Sequence, residues 1–218
     1  MTVDPAAFVR ANTRLESPSL VPELKIHLAH AATDLWAATE ATLERTGLPP
    51  PYWAFAWPGG QALARHLLDR PDVARGRRVL DFAAGSGVAA LAAAKVGAAA
   101  VAASEIDAFA RAALALNAEA NGLALDIRAA DVLAAPAEGW DLILAGDVFY
   151  EKPMADRVWP WLVAAAARGI DVCVADPGRA YLPASGLVEI ARYTVPTTLD
   201  LEDRTERVTR VLAVSAVT

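Results

Sequence analysis

The sequence has one cysteine, three histidines and no long run of basic residues. A single cysteine, Cys173, excludes an internal disulfide and is typical of a reducing compartment. The histidines and this cysteine do not have zinc-ligand spacing, so no metal site is predicted, and His27 and His30 are expected to share one face of a helix. The net charge of −6 disfavours a nucleic-acid partner, because such proteins must neutralise phosphates.

The chain also lacks an apolar run long enough to span a membrane. A spanning helix needs about 18 to 20 strongly apolar residues. The weakly polar stretch from Gly87 to Ala103 is mostly Ala, Gly and Val, with Lys95 inside it and a break at Gly97. The mean hydropathy of +0.29 therefore reflects abundant alanine, and no membrane partner is expected. The N-terminus shows no apolar segment typical of a secretory signal, so we expect a cytoplasmic protein.

Short apolar runs alternate with helical stretches through the centre of the chain. The predicted strands are Arg78–Phe82, Ala99–Ser104, Leu125–Arg128, Trp140–Ala145 and Ile170–Ala175. The predicted helices between and around them are Gln61–Leu68, Val88–Lys95, Ala108–Asn121 and Met154–Arg168. This alternation predicts an α/β fold, with a parallel sheet and helices on both faces. Near the end, Leu187–Val195 and Arg207–Val217 read as two strands that pair as a hairpin.

The first part of the chain follows a different pattern. Residues 22–45 have apolar side chains near helical spacing, and a run of three prolines ends the pattern. A loop with four aromatic residues fenced by proline and glycine follows at residues 52–60. We therefore divide the chain into an N-terminal helical extension with the aromatic loop, residues 1–60, and a main domain, residues 61–218.

Ligands of open α/β sheets bind beyond the carboxyl ends of the strands, so the residues there are the candidates for a site. Gly85 and Gly87 follow the first strand and let a loop pass close to a ligand. Glu105 follows the second and can accept hydrogen bonds from both hydroxyls of a ribose. Asp131, next to Val132, follows the third and is placed to meet an amino group on a base. Each has a plainer reading as a turn or a helix cap, but their shared register predicts a nucleoside site.

Two cofactors fit this pattern. Residues 85–90 match G-x-G-x-x-A, the dinucleotide fingerprint, so an NAD-dependent oxidoreductase is one alternative. Asp81 argues against it, because a carboxylate facing the loop would repel a pyrophosphate and would attract the ammonium group of a methionine moiety. The two terminal strands also suit a seven-stranded sheet whose last strand is antiparallel. Both features favour S-adenosylmethionine.

Several segments resemble known methyltransferases. Residues 79–87 (VLDFAAGSG), Glu105, Asp131 and the turn at 147–150 (DVFY) are similar to class I, seven-β-strand, Rossmann-like methyltransferases. The Asp147-x-x-Tyr150 spacing is similar to the D-x-x-Y motif of protein-lysine methyltransferase family 16. As a set, three segments resemble the family of lysine methyltransferases of the electron transfer flavoprotein β subunit, namely residues 53–63 (WAFAWPGGQAL), 146–151 (GDVFYE) and 176–179 (DPGR).

The resemblance implies the fold, the reaction and its residues. It implies S-adenosylmethionine as the cofactor, the β subunit of electron transfer flavoprotein as the acceptor, and Trp57 as a cover for the cofactor. The acidic net charge would help to attract a basic loop of the acceptor. Asp147 is interpreted as the carboxylate that orients the lysine, and Tyr150 as a wall or hydrogen-bond partner of the same side chain. Arg179 either shapes substrate access or is a solvated turn residue. The implied cofactor-binding residues are Trp57, Asp81, Gly85, Gly87, Glu105, Asp131 and Val132.

Other acceptors and functions stay open at this point. A ribosomal protein or a small-molecule amine would use the same fold and cofactor site, and a module that binds without turnover is a further alternative. An amino methyltransferase of nucleic acids is expected to carry (N/D)-P-P-Y, whereas Val148 and Phe149 stand at the two middle positions here. Ala83 replaces the usual first glycine of the methyltransferase loop, which is expected to cost little if its φ is negative.

Overall fold

The computed structural model describes residues 4–29, 50–198 and 202–215. Its helices are α1 (Pro5–Asn12), α2 (Pro58–Asp69), α3 (Val88–Lys95), α4 (Ala108–Asn121) and α5 (Lys152–Ala167). Its strands are β1 (Thr13–Glu16), β2 (Ile26–Ala29), β3 (Arg78–Phe82), β4 (Ala100–Ser104), β5 (Asp126–Arg128), β6 (Leu142–Gly146), β7 (Asp171–Asp176), β8 (Leu187–Pro196) and β9 (Glu206–Val214).

Strands β3 to β9 form one seven-stranded sheet in the order β5-β4-β3-β6-β7-β9-β8. The pairs among β3 to β7 are parallel, whereas β9 is antiparallel to both β7 and β8. The predicted seven-stranded α/β sheet with an antiparallel last strand is therefore confirmed, and so is the terminal hairpin. The strand order reverses between β4 and β6 around β3, which places a ligand crevice at the carboxyl end of β3.

Hydrophobic cores lie on both faces of the sheet. Alternate residues of β3 point to opposite sides, so that Val79 joins the core under α2, α3 and α4 while Leu80 joins the core under α5. The alanine-rich helix α3 buries almost its whole length, because thin side chains let it pack between the sheet and α2. No helix in the described ranges is long and apolar enough to cross a membrane.

The predicted helix over residues 22–45 is wrong at its beginning. Residues 26–29 form strand β2, which pairs with β1 as an antiparallel hairpin next to α1. Side chains of α4 cause this, because Asn117 accepts a hydrogen bond from the backbone of His27, and Asn121 holds the backbone of Lys25 on both sides. These tertiary contacts override the apolar spacing. The rest of the predicted helix, residues 30–49, lies outside the described residues.

Two smaller predictions concern the same region. His27 lies on a strand and contacts the Thr13 hydroxyl at 2.8 Å, while its supposed helical neighbour His30 falls outside the described residues. Within those residues, no group of side chains has the arrangement of a metal site. The proposed domain division after residue 60 falls inside α2, and the division itself stays a prediction.

Candidate active site

A cavity of 990 Å³ opens at the carboxyl ends of β3, β4 and β6. This volume is at the upper end of the range that is typical of small-molecule and cofactor sites. It brings together eight of the nine residues that the sequence singled out: Trp57, Asp81, Gly85, Glu105, Asp131, Val132, Asp147 and Tyr150. The ninth, Gly87, is not among the residues that line the cavity. The roles of these residues stay predictions.

The glycine loop needs its glycines for two different reasons. Gly85 has φ +53°, and a side chain there would meet only one atom, at 4.0 Å, so its backbone conformation is what favours glycine. Gly87 has φ +77°, and a Cβ atom there would lie 2.2 Å from the side chain of Leu114. Gly87 is also the N-cap of α3. A residue with a side chain at Gly87 would therefore strain the backbone and force the end of the buried Leu114 side chain to move.

Ala83 was expected to cost little stability in place of the usual glycine only if its φ were negative, and this condition is not met. Its φ is +50°, in the left-handed region that favours glycine. The alanine therefore holds a strained backbone at the point where the usual first glycine would be relaxed. Strain of this kind costs roughly 1 to 2 kcal/mol.

This strain gives a first testable prediction. Ala83→Gly removes the left-handed strain but gives the unfolded chain more freedom, which costs about 0.5 to 1 kcal/mol. We expect the free energy of unfolding to stay the same or to rise by up to about 1 kcal/mol. Ala83→Val places a branched side chain on the same left-handed backbone and should lower the free energy of unfolding by about 1 to 3 kcal/mol. Urea unfolding of both variants checks the order, and a glycine variant less stable than the valine variant would contradict it.

Asp81 is a buried carboxylate at the floor of the cavity. Its side chain is almost fully buried, and its Oδ2 accepts a hydrogen bond from the backbone of Ala90 at 2.9 Å. Burial, with a smaller contribution from the nearby charge of Glu105, raises the pKa of Asp81 to about 7, and the Ala90 hydrogen bond opposes the rise. No ion pair of Asp81 occurs among the described residues. A ligand cation at this place would supply the partner that the carboxylate lacks.

Glu105 closes the opposite side of the glycine loop. Its Oε2 accepts from the backbone of Gly85 at 3.1 Å, and its Oε1 accepts from the backbone of Asp107 at 3.0 Å. Burial raises its pKa, and the two backbone hydrogen bonds oppose the rise. An ionised carboxylate has about four acceptor positions, so both oxygens retain room for a further donor. Glu105 is thus fixed in place and still able to accept hydrogen bonds from a ribose.

Asp131 behaves differently from the other carboxylates. It is exposed, its Oδ1 accepts from the backbone of Leu133, and its Oδ2 forms an ion pair of 2.6 Å with Arg157. The Arg157 contact holds the pKa of Asp131 below its usual value. Asp131 thus caps the short 3-10 helix Val132–Ala134, which agrees with the alternative interpretation of this residue as a cap. It also lines the cavity, together with Val132.

The aromatic loop forms one wall of the cavity. The ring of Trp57 packs edge-on against Tyr52 and Phe55, and its Nε1 donates to the backbone carbonyl of Tyr52 at 2.7 Å. The ring of Tyr52 in turn packs edge-on against the ring of Tyr150, with 5.4 Å between the ring centroids. Burial raises the pKa of both tyrosines, so both hydroxyls stay protonated at neutral pH. The interlocked rings hold Trp57 and Tyr150 on the same side of the opening.

Asp147 occupies a strained and crowded position directly after β6. Its φ is +55°, and its side chain is only 11% exposed. Its Oδ2 accepts from the backbone of Gly59, and its Oδ1 accepts from Arg179 at 2.9 and 3.2 Å. Burial raises the pKa of Asp147 to about 6, and the charge of Arg179 opposes the rise. Strained backbone that is held by its surroundings is typical of functional sites.

Sequence reasoning did not identify what holds Asp147. Gly59 and Gly60, at the N-terminus of α2, lie against Gly146 so closely that a Cβ atom on Gly146 would come 2.9 Å from the backbone of Gly60. This contact brings the backbone amide of Gly59, in the first turn of α2, to the carboxylate of Asp147. The P-G-G run at the start of a predicted helix was the available signal, because a helix rarely needs two glycines in its first turn. Arg179, left open between two roles, is part of an ion-pair network and is not a solvated turn residue.

Comparison with known proteins agrees with this architecture. Residues 56–171 match the model of the methyltransferase small domain family. The electron transfer flavoprotein β subunit lysine methyltransferase of Xenopus laevis is 40% identical over 178 residues, which cover 81% of this chain and 71% of that protein. The protein of the same name from Rattus norvegicus is 38% identical over 200 residues, covering 87% and 76%. Among solved structures, a ribosomal protein L11 methylase from Lactobacillus delbrueckii subsp. bulgaricus has a TM-score of 0.53 at 22% identity, covering 78% of this chain and 83% of that one.

Proposed function

The chain belongs to the electron transfer flavoprotein β subunit lysine methyltransferase family, and from this membership and the cavity geometry we propose that it methylates a lysine of that subunit with S-adenosylmethionine. The relatives are named as lysine methyltransferases and a methyltransferase domain matches the chain, so the resemblance that the sequence motifs indicated is confirmed. The NAD-dependent oxidoreductase alternative is set aside, because the matched family and relatives are methyltransferases. The likeness to the ribosomal protein methylase shows the fold alone and does not favour a ribosomal protein as the acceptor.

The floor of the cavity fits the cofactor. Asp81 is a buried carboxylate without a cationic partner in the described residues, and Glu105 is a fixed acceptor on the far side of the glycine loop. We propose that Asp81 binds the ammonium group and that Glu105 binds the ribose hydroxyls. Trp57, Asp131 and Val132 then form the walls around the remaining groups. When bound, S-adenosylmethionine supplies an electrophilic methyl group attached to a sulfonium.

The residues around Asp147 fit an incoming lysine. The lysine nitrogen must lose a proton to solvent before its lone pair attacks, so most of the contribution from the protein is positioning. Asp147 offers a fixed acceptor oxygen for that nitrogen, and the rings of Tyr52 and Tyr150 stand beside it. Aromatic faces also favour a cation held near them. The lysine would therefore enter past Tyr150 and end at Asp147.

The rim of the cavity suits a protein acceptor better than a small amine. Ile106 is 71% exposed and Tyr150 is 37% exposed, and both line the opening. Exposed Glu151 stands beside them, so the rim combines apolar surface with negative charge. Such a surface complements a basic loop that carries a lysine. The absence of nucleic-acid and membrane partners and the cytoplasmic location stay predictions.

Methyl transfer to purified acceptors tests the proposal. The purified enzyme is incubated with radiolabelled S-adenosylmethionine and one of three acceptors: electron transfer flavoprotein, ribosomal proteins, or free lysine and simple amines. We expect label in the β subunit of the flavoprotein and no comparable label in the other two. Label only in ribosomal protein or only in small amines would transfer the assignment to that acceptor, and no label in any of them would overturn the proposed activity.

The pKa of Asp81 predicts how cofactor affinity depends on pH. With a pKa of about 7, much of the ligand-free protein holds this carboxyl protonated near neutral pH. An ammonium next to it requires the ionised form, so affinity rises as Asp81 loses its proton. Calorimetry with S-adenosylhomocysteine should show about tenfold tighter binding at about pH 8 than at about pH 6.

Asp81→Asn provides the control for this prediction. The amide keeps the acceptor for the Ala90 backbone but cannot ionise. Binding should weaken and lose most of its pH dependence in this range. Asp126→Asn, on an exposed strand residue paired with Arg128, should behave like the unsubstituted protein. A pH dependence that survives Asp81→Asn would assign the titration to another group.

A further inference from the structure

Arg179 lies between two carboxylates at the back of the lysine site. Its Nη2 and Nε contact Asp147 Oδ1 at 2.9 and 3.2 Å, and its Nη2 and Nη1 contact Glu202 at 2.6 and 3.3 Å. The side chains of Arg179, Asp147 and Glu202 are 19%, 11% and 4% exposed. At this burial the guanidinium is fixed by both partners, unlike an exposed surface pair.

The clamp limits which acceptor positions Asp147 can offer. A carboxylate has about four acceptor positions, two on each oxygen. Two contacts from Arg179 occupy Oδ1, and the backbone of Gly59 occupies one position on Oδ2. The position that remains lies on Oδ2. A lysine nitrogen can thus reach Asp147 in one orientation, provided that Arg179 keeps Oδ1 occupied.

The clamp also offsets the charge of Asp147. An uncompensated carboxylate beside a lysine would stabilise the ammonium form, which cannot attack a methyl group. Arg179 supplies a positive charge at Asp147, and its second partner, Glu202, is itself paired with Arg207. Asp147 can therefore accept a hydrogen bond from a neutral amine without strongly favouring the ammonium.

We infer that Arg179 is a positioning residue for methyl transfer, which orients Asp147 and offsets its charge so that the lysine nitrogen is held as a neutral amine. This inference deepens the proposed function and rests on it. Arg179 acts through Asp147 and has no assigned contact with the acceptor. Its guanidinium also lies 5.8 Å from the ring centroid of Trp57, which links the clamp to the aromatic wall.

Several charged groups face Asp147 from neighbouring elements. The turn after β7 brings Arg179 and Asp176, whose Oδ1 accepts from the backbone of Gly178 and Arg179. The segment before β9 brings Glu202, which pairs with Arg207 on β9, and the first turn of α2 brings the backbone amide of Gly59. Arg210, also on β9, pairs in register with Asp176. Burial and the charge of Asp176 raise the pKa of Asp147, and Arg179 lowers it. Loss of Arg179 should therefore move the ionisation of Asp147 to higher pH.

The test compares Arg179→Gln with Arg179→Lys, which keeps the charge but not the fork of donors. Methylation of the acceptor is measured as kcat/KM against pH. The ratio of wild-type to Arg179→Gln activity should shrink about tenfold between about pH 6.5 and about pH 9. The reason is that Asp147, without Arg179, ionises at a higher pH than in the wild-type protein. Arg179→Lys should restore most of the loss near pH 7. Arg192→Gln, which breaks an exposed pair with Glu189, should leave the pH profile unchanged.

A second readout does not depend on activity. The carboxyl of Asp147, assigned in NMR spectra by its disappearance in Asp147→Asn, is titrated in the wild-type protein and in Arg179→Gln. We expect the pKa of Asp147 to be higher in Arg179→Gln. An unchanged pKa of Asp147, or an activity loss equal at every pH, would overturn the inference while leaving the proposed function intact. Absence of methyl transfer by the wild-type protein would instead overturn the proposed function, and the carboxyl titration would still decide whether Arg179 controls Asp147.

Discussion

Replacing Asp147 with asparagine is expected to lower kcat/KM for the acceptor protein by about a thousandfold. This factor corresponds to roughly 4 kcal/mol, which is typical of the loss of one partner from a buried charged pair. The carboxylate is the fixed acceptor that orients the lysine nitrogen in the proposed mechanism. Asparagine keeps the shape and tolerates the positive φ of +55° better than most residues, so the fold should survive. It loses the negative charge, and its amide has only one oxygen to share between Gly59, Arg179 and the substrate.

Two measurements separate this effect from general damage. Affinity for S-adenosylhomocysteine, measured by calorimetry, should change less than about fivefold in Asp147→Asn, because the cofactor is assigned to Asp81 and Glu105 and not to Asp147. Asp156→Asn, which breaks an exposed ion pair of α5 with Lys152, serves as the matched control and should keep full activity. If Asp147→Asn kept activity within about tenfold of the wild type, Asp147 would be a structural acceptor and not the lysine-orienting group.

The second large effect is expected for Gly59→Ala. A Cβ atom on Gly59 would lie 2.5 Å from the carbonyl oxygen of Ala175 and 2.5 Å from Asp147 Oδ2. Neither can move freely, since one is backbone of a buried strand and the other is held by Arg179. The start of α2 must then shift away from β6 and β7. We expect the free energy of unfolding to fall by about 3 kcal/mol and kcat/KM to fall by about a hundredfold, because the amide that fixes Asp147 is displaced.

Gly60→Ala is the matched control for this prediction. It lies in the same helical turn, but a Cβ atom there would meet only the side chain of Val88, at 3.0 Å. Alanine is also a better helix former than glycine by about 1 kcal/mol, which offsets the tighter packing. Denaturant unfolding should therefore place Gly60→Ala within about 1 kcal/mol of the wild type. Equal losses in both variants would show that the first turn of α2 tolerates no methyl group, and would remove the specific role of the Gly59 amide.

The sheet and the cofactor side of the cavity were predictable because their signals are local. Strand β3 is a short apolar run followed by a glycine loop, and Glu105 follows the next strand twenty positions after Gly85. Parallel strands align their carboxyl ends, so residues after consecutive strands must meet at one edge. The positive φ of Ala83 could not be read from the alanine itself, and the only signal was the glycine that usually stands at this position of the loop.

The N-terminal hairpin and the clamp on Asp147 were not predictable for a different reason. Strand β2 depends on Asn117 and Asn121, about ninety positions later in the chain. The contacts of Arg179 with Asp147 and Glu202 depend on how β6, β7 and β9 align in the sheet, which no local pattern encodes. In both places a long-range contact decides the structure, and in the second the same contact prepares the chemistry.

A crystal structure of the protein with S-adenosylhomocysteine tests the central claim most directly. The account predicts the ligand in the cavity at the carboxyl ends of β3, β4 and β6, with its ammonium at Asp81 and its ribose hydroxyls on Glu105. The sulfur should face Asp147 and Tyr150 across the space left for a lysine. A ligand bound elsewhere, or one in this cavity whose sulfur faces away from Asp147, would contradict the account.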